Sequence, residues 1–145
     1  MEDKMSLRQS LVLRVQLYRD VGDGNDGLAR VATVDGTTIT YGNVATVSTN
    51  RVLGLNVENA DSSTVVFGYV DDITADAMAR VGTISGTDIT LGTAKLINTD
   101  SGGGAHVAAI SSTKLLIAYH DNANSDGRAV IGTISGTDIT LGTPA

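Results

Sequence analysis

The residues best suited to chemistry are oxygen donors in a short acidic loop, which reads Asp20-Val21-Gly22-Asp23-Gly24-Asn25-Asp26-Gly27. Calcium takes about six to eight oxygen ligands, and the side chains of Asp20, Asp23, Asn25 and Asp26 could supply several of them. The loop lacks the closing glutamate and the flanking helices of an EF-hand. Aspartates in loops also accept backbone N–H bonds and close turns. We therefore expect a structural turn and no cofactor, with a calcium site as the alternative.

A Tyr-x-Asp sequence occurs three times, as Tyr18-Arg19-Asp20, Tyr69-Val70-Asp71 and Tyr119-His120-Asp121. Sugar-binding sites use a flat aromatic face beside polar groups, so Tyr69, Asp71, Tyr119 and Asp121 are candidate ligand-binding residues. A tyrosine on a strand can equally be a half-buried core residue whose hydroxyl is hydrogen-bonded. We expect the core role for both tyrosines, with a ligand site between neighbouring repeats as the alternative.

Catalytic side chains are sparse in this chain. His106 and His120 are the only histidines, and both fall in one repeat. His120 directly precedes Asp121, and adjacent residues of a strand point to opposite faces, so the pair cannot belong to one Ser-His-Asp triad. Glu2 and Glu58 are the only glutamates, and the chain has no cysteine, which excludes thiol chemistry and disulfides. We expect a protein that is not an enzyme and has no catalytic residues.

The 145 residues include 10 Lys and Arg and 16 Asp and Glu, which gives a formal net charge of −6. A negative surface repels phosphate backbones and anionic lipids, so we expect no nucleic-acid partner. No window reaches the roughly 18 apolar residues of a membrane-spanning helix. Residues 1–10 contain no apolar stretch typical of a signal peptide. We therefore expect no membrane insertion and no signal peptide.

The chain repeats itself with a period of 50 residues. Residues 82–93 and 132–143 both read GTISGTDITLGT, and residues 32–43 read the related ATVDGTTITYGN. Repeats of this length are typical of propellers, solenoids and arrays. The first Tyr-x-Asp sequence is offset by 51 residues, which places one extra residue in its loop. We expect one domain with four parts: a polar segment or edge strand at 1–10, a degenerate first repeat at 11–50, a second repeat at 51–100 and a third at 101–145.

Each repeat is predicted to form four antiparallel strands with little or no helix. Val, Ile and Thr dominate the segments between Gly, Ser, Asn and Asp clusters, and no segment has the apolar stripe of an amphipathic helix. Gly36, Gly86 and Gly136 stand where a tight hairpin needs a positive φ. A longer polar loop, Asn122–Gly127 in the third repeat, joins the second and third strands. The strands predicted there are His106–Ile110, Lys114–Asp121, Arg128–Ser135 and Asp138–Thr143.

The predicted strand Lys114–Asp121 is apolar on both faces, with Leu115 and Ile117 on one side and Leu116 and Ala118 on the other. A four-stranded unit buried on both faces is typical of a β-propeller blade. Propellers close with about four to eight blades, so three blades leave two faces uncovered. We expect an all-β, propeller-type homo-oligomer, most simply two chains that complete a six-bladed ring. The alternative is a short β-solenoid or prism-like array within a trimer.

The repeat combines Tyr-x-Asp, a polar loop and the run VGTISGTDITLGT, which is residues 81–93 in the second copy. In this style it resembles the blade-like repeats of bacteriophage tail-fibre and virion-surface proteins and of some bacterial surface proteins, over residues 18–143. The resemblance implies a structural or adhesion module of a virion or cell surface, whose partners are surface glycans or other virion proteins. One alternative is a multivalent carbohydrate-binding lectin with sites between blades. Another is a designed or evolutionary-model propeller fragment, because the second and third repeats share twelve identical residues in a row.

Overall fold

The β-branched residues Val, Ile and Thr are abundant along the chain. Their side chains pack well on a pleated surface, which favours strands. The computed structural model describes residues 12–22, 24–101 and 103–145. Within these ranges the structure has no helix long and apolar enough to cross a membrane. The described residues form twelve strands: β1 (Val12–Asp20), β2 (Asp26–Asp35), β3 (Thr38–Tyr41), β4 (Ala45–Asn59), β5 (Thr64–Asp71), β6 (Asp76–Ser85), β7 (Asp88–Leu91), β8 (Lys95–Asn98), β9 (Ala105–Ser111), β10 (Lys114–Asp121), β11 (Asp126–Ser135) and β12 (Asp138–Leu141).

The strands pair antiparallel in two sheets. The first sheet is curled and has eight strands in the order β1-β2-β4-β5-β6-β7, with β3 also beside β2 and β8 also beside β6. The second sheet has four strands in the order β12-β11-β10-β9. Strand β4 links the two halves of the first sheet, because residues 45–51 pair with β2 and residues 52–59 pair with β5. The prediction of an all-β fold is confirmed over the residues that the structure describes.

Three layers follow from this pairing. The N-terminal layer is β1–β3 with residues 45–51, the central layer is residues 52–59 with β5–β8, and the C-terminal layer is β9–β12. The same pairing recurs in each layer at intervals of 50 residues, so the sequence repeat is also a repeat of strand register. The facing partners at one such position are Ala32 and Tyr41, Gly82 and Leu91, and Gly132 and Leu141.

The predicted strands of the third repeat are confirmed as β9–β12, with ends that differ by a few residues. The predicted loop Asn122–Gly127 was too long. Asp121 pairs with Asp126, so the loop contains only residues 122–125, because the ladder between β10 and β11 continues through Gly127. Asp20 pairs with Asp26 in the first repeat, so that loop has one residue more, as its offset of 51 predicted.

The hairpin turns follow the predicted chemistry of glycine. Gly36, Gly86 and Gly136 have φ angles of 58°, 62° and 61°. L-residues with a Cβ rarely adopt this backbone conformation, whereas glycine does so at little cost. The three hairpins between β2 and β3, β6 and β7, and β11 and β12 therefore have the same shape.

Two apolar clusters hold the layers together, one on each face of the central layer. Strand β5 is buried on both faces, since Val65 and Phe67 point to one cluster and Val66 points to the other. The cluster toward the N-terminal layer contains Ala29, Val47, Val52, Val65, Phe67 and Tyr69. The cluster toward the C-terminal layer contains Val66, Ala77, Ala79, Val81, Ala105, Val107, Leu115, Ile117, Tyr119, Val130, Ile134 and Ile139.

Strand β10 is buried on one face only, and the prediction that Lys114–Asp121 is buried on two faces was wrong for this chain. Leu115 and Ile117 are fully buried against the central layer, whereas Leu116 is 40 % exposed and Ala118 is also exposed. The cause is position in the stack, because no further layer of the described residues covers the second face. The predicted edge strand at residues 1–10 lies outside the described residues.

Candidate functional site

The three aspartates of the Tyr-x-Asp sequences close the same type of turn. Each carboxylate accepts the backbone N–H of the residue two positions later, which is the geometry of an Asx-turn. In each loop the residue before the next strand has a positive φ: 70° at Asn25, 59° at Ala75 and 56° at Ser125. The distances from the backbone N to the aspartate Oδ1 are 2.9 Å for Gly22 and Asp20, 3.0 Å for Ile73 and Asp71, and 3.1 Å for Ala123 and Asp121.

Asp71 and Asp121 also bind side chains of the protein. The Asn50 side chain donates to Asp71 Oδ2 at 2.6 Å. Asp121 is buried, and its Oδ2 accepts a hydrogen bond from Asn124 Nδ2 at 2.8 Å and lies 3.1 Å from Arg128 Nε. The hydrogen bond from Asn124, with help from the charge of Arg128, holds the pKa of Asp121 below its usual value, although desolvation acts in the opposite direction. Both carboxylates therefore serve to fasten loops.

The calcium candidates Asp20, Asn25 and Asp26 lie at the two ends of the first loop, and Asp23 lies outside the described residues. One carboxylate oxygen of Asp20 is engaged by the N–H of Gly22. In the part of the chain that the structure describes, no three or more His, Cys, Asp and Glu side chains come together in a group that could hold a metal ion. The calcium alternative stays a prediction, which the described residues neither test at Asp23 nor support with a ligand cluster elsewhere.

Tyr69 and Tyr119 are core residues in this structure, 2 % and 6 % exposed. Burial raises the pKa of Tyr69, the charge of Arg80 opposes the shift, and Asp71 adds to it. Stacking on a sugar requires an open ring face. The glycan role of these tyrosines therefore stays a prediction that their burial does not support.

Arg80 joins two layers, a role that we did not predict from the sequence. It lies on β6 in the central layer, and its Nη1 donates to the carbonyl oxygen of Val47 in the N-terminal layer at 2.7 Å. Its Nε donates to the carbonyl oxygen of Gly92 in its own layer at 2.7 Å. The one sequence signal for this role was the recurrence of arginine at positions 30 and 80.

Arg30 occupies the same repeat position in the N-terminal layer, but its partners lie in that layer. Its Nε donates to Gln16 Oε1 at 2.7 Å. Its guanidinium lies 3.7 Å from the centre of the Tyr41 ring and 5.5 Å from the centre of the Tyr18 ring, which are cation–π distances. Arg30 thus lies folded onto the outer face of its own layer.

A glycine and a threonine make a close contact between successive layers. A Cβ on Gly42, in the N-terminal layer, would lie 2.0 Å from the carbonyl oxygen of Thr87 in the central layer. Gly92 and Thr137 repeat the contact between the central and C-terminal layers, where the corresponding distance is 2.2 Å. Only glycine fits at these two positions. At Gly142, the third repeat of this glycine, a Cβ would meet nothing closer than a carbonyl oxygen of its own layer at 3.4 Å.

The two outer faces of the stack differ in polarity. On the C-terminal layer the facing residues Leu116 and Ile131 are each 40 % exposed, and a shallow apolar depression lies around them. On the N-terminal layer Ile39 is 54 % exposed and Tyr41 is 45 % exposed. Arg14 extends this second face as a charged region. The C-terminal outer face thus has an apolar centre, with Lys114 and His120 exposed at the two ends of β10 on the same face, and the N-terminal outer face is mixed.

Comparison with protein-family models, with curated proteins and with solved structures finds no match to this chain. A proposal for the function therefore has to be argued from the packing of the layers and the contacts of their loops.

Proposed function

We propose that this chain is a non-enzymatic assembly module of a virion or cell surface, built from three propeller-type blades that further copies of the chain complete. The observation that carries the proposal is the apolar centre of the outer face of the C-terminal layer, where the facing residues Leu116 and Ile131 are each 40 % exposed. Neighbouring exposed apolar side chains on a sheet face can mark a protein–protein interaction site. The opposite face of the same layer is buried against the central layer.

The way in which the layers stack supports the blade interpretation. Each antiparallel unit packs its apolar face on the next, and the strand register repeats every 50 residues. Blades pack in this manner around a propeller, which needs about four to eight of them. Two chains with three blades each would complete a ring of six.

The loop chemistry supports a structural role over a catalytic one. Asp71 and Asp121 hold turns through hydrogen bonds to backbone and side-chain donors. Tyr69 and Tyr119 are packed into the core. Placement on a virion or cell surface, with surface glycans or other virion proteins as partners, rests on the style of the repeat.

The test is the mass of the native particle, measured by light scattering across a range of micromolar concentrations. We expect a small whole-number multiple of the chain mass. Ile131→Asp places a charge on the apolar face and should give a folded monomer. The matched control is Ile73→Asp, because Ile73 is a loop residue that is 70 % exposed. A wild-type monomer at every concentration, with the circular dichroism of a folded β protein, would overturn the proposal.

A further inference from the structure

We infer that copies of this chain join head to tail, so that the outer face of the C-terminal layer of one copy covers the outer face of the N-terminal layer of the next. In this joint Thr37 of one copy contacts Gly142 of the other. The inference rests on the proposed self-association and goes further, because it names both surfaces and excludes a back-to-back arrangement.

The first argument is that the chain already makes this joint twice. Thr87 lies in close contact with Gly42 between the first two layers, and Thr137 lies in close contact with Gly92 between the last two. Gly142 is the eleventh residue of the same twelve-residue sequence as Gly92, since residues 82–93 and 132–143 are identical. Gly142 is therefore a third receiving position of the same kind, and it is open.

The second argument is that the N-terminal layer carries the matching threonine. Thr37 follows Gly36 in the first hairpin, as Thr87 follows Gly86 in the second. The φ angles of these two glycines are 58° and 62°, so the turns present their threonines in the same way. Thr37 is exposed, and among the described residues no further layer contacts it.

The third argument is the distribution of apolar side chains beside each half of the contact. Ile39 in the N-terminal layer corresponds to Ile89 and Ile139, and each of these two packs into an interlayer cluster. Ile39 is 54 % exposed, since no further layer of the part of the chain that the structure describes packs on it. On the other outer face Leu116 is exposed as well. Both faces therefore hold apolar groups that lie in contact wherever two layers meet within the chain.

The joint between copies differs from the internal joints in its polarity. Gln16 pairs with Arg30 in the N-terminal layer, at the position where buried Phe67 pairs with Arg80 in the central layer. Polar groups at this position reduce the apolar area that association removes from water. We therefore expect the copies to separate more readily than the layers within one copy.

A head-to-tail joint uses two different surfaces, so it is heterologous and either closes into a ring or grows into a filament. A back-to-back joint would use one surface twice. We call the outer face of the N-terminal layer the head and the outer face of the C-terminal layer the tail. Mixtures of two variants, one with a changed head and one with a changed tail, distinguish the two symmetries.

The experiment uses Thr37→Arg and Gly142→Arg in the full chain, followed by sedimentation velocity. Both positions are exposed, and the space at Gly142 is open within its own copy, so both variants should fold, as circular dichroism and thermal unfolding would check. Each variant alone lacks one half of every joint. We expect each to associate at least about 100-fold more weakly than the wild type, because each puts an unpaired charge into the joint.

An equimolar mixture should recover pairs, because the intact tail of the Thr37→Arg chain meets the intact head of the Gly142→Arg chain. Two results would overturn the inference: undiminished association of Thr37→Arg alone, which a back-to-back joint predicts, or a mixture that stays monomeric. A wild-type chain that never associates would instead remove the proposed function itself, so the two failures are distinguishable.

Discussion

Two glycines in identical sequence should respond in opposite ways to the same substitution. Gly92 and Gly142 both follow the run DITL and precede threonine. A Cβ on Gly92 would lie 2.2 Å from the carbonyl oxygen of Thr137, whereas a Cβ on Gly142 would lie 3.4 Å from its nearest neighbour. Neither glycine is among the residues with positive φ, so alanine can adopt the backbone conformation at both positions, and only the space around its Cβ differs.

The size of the effect follows from these distances. Gly92→Ala must move the two layers apart until 2.2 Å becomes at least 3.4 Å, an ordinary contact. Overpacking of this kind costs about 1–3 kcal/mol. The lower backbone entropy of alanine in the unfolded chain returns about 0.4–1 kcal/mol, and this gain alone applies to Gly142→Ala within one copy. We expect Gly92→Ala to lower the free energy of unfolding by about 1–2 kcal/mol, or Tm by roughly 2–8 °C.

The assay is urea unfolding followed by circular dichroism, at concentrations low enough that association does not contribute. Gly142→Ala should be as stable as the wild type or slightly more stable. Gly22→Ala, in a polar loop, is a further control, since its Cβ would meet only an Asp20 carboxylate oxygen at 3.4 Å. Equal stability of Gly92→Ala and Gly142→Ala would refute the close contact between the central and C-terminal layers, and with it the basis for a third contact at Gly142.

Two further predictions concern loop and layer chemistry. The pKa of Asp121 is lowered in the folded chain, so its stabilising contribution is complete above the ordinary value of 3.8 and is lost as pH falls through the lower folded value. Asp121→Asn should therefore lower stability at neutral pH and flatten the loss of stability in acid, and an unchanged acid limb in urea titrations would contradict this. Arg80→Met removes the donor to the Val47 carbonyl oxygen and should cost about 1–3 kcal/mol. Arg30→Met should cost less, about 0.5–1 kcal/mol, because Arg30 makes an exposed cation–π contact within its own layer. Thermal unfolding of the two variants measures both losses of stability. A larger loss for Arg30→Met than for Arg80→Met would contradict this prediction.

The local structure could be predicted because the sequence repeats and its turns have specific chemistry. Gly86 and Gly136 stand in identical turns, and each has the positive φ that a tight hairpin requires. The alternation of Leu115 and Ile117 with Leu116 identified two apolar faces of one strand. These properties depend on residues close together in the chain, so a single repeat is enough to show them.

The contacts between layers could not be predicted, because they depend on residues about 45 positions apart. Gly92 recurs in the sequence at the repeat interval, but the need for glycine at this position comes from its close contact with Thr137 in the next layer. The same dependence on distant residues explains why the predicted burial of Leu116 was wrong. The sequence shows that Leu116 is apolar, but its exposure depends on whether another layer packs on it. The burial of Tyr69 and Tyr119, which bears on the candidate ligand sites, is also a property of stacking.

Strand β4 passes from the N-terminal layer into the central layer without a loop, as one run of 15 residues. The central and C-terminal layers are joined differently, by residues 99–104, with Ser101 buried beneath the His120 carbonyl oxygen that its hydroxyl contacts. Separating the first two layers requires this continuous strand to bend or break, whereas the third layer is held to the central layer by side-chain packing and by the connection between β8 and β9. We therefore expect the third layer to detach from the central layer without breaking a strand, and a neighbouring copy packed on its outer face would oppose this partial unfolding.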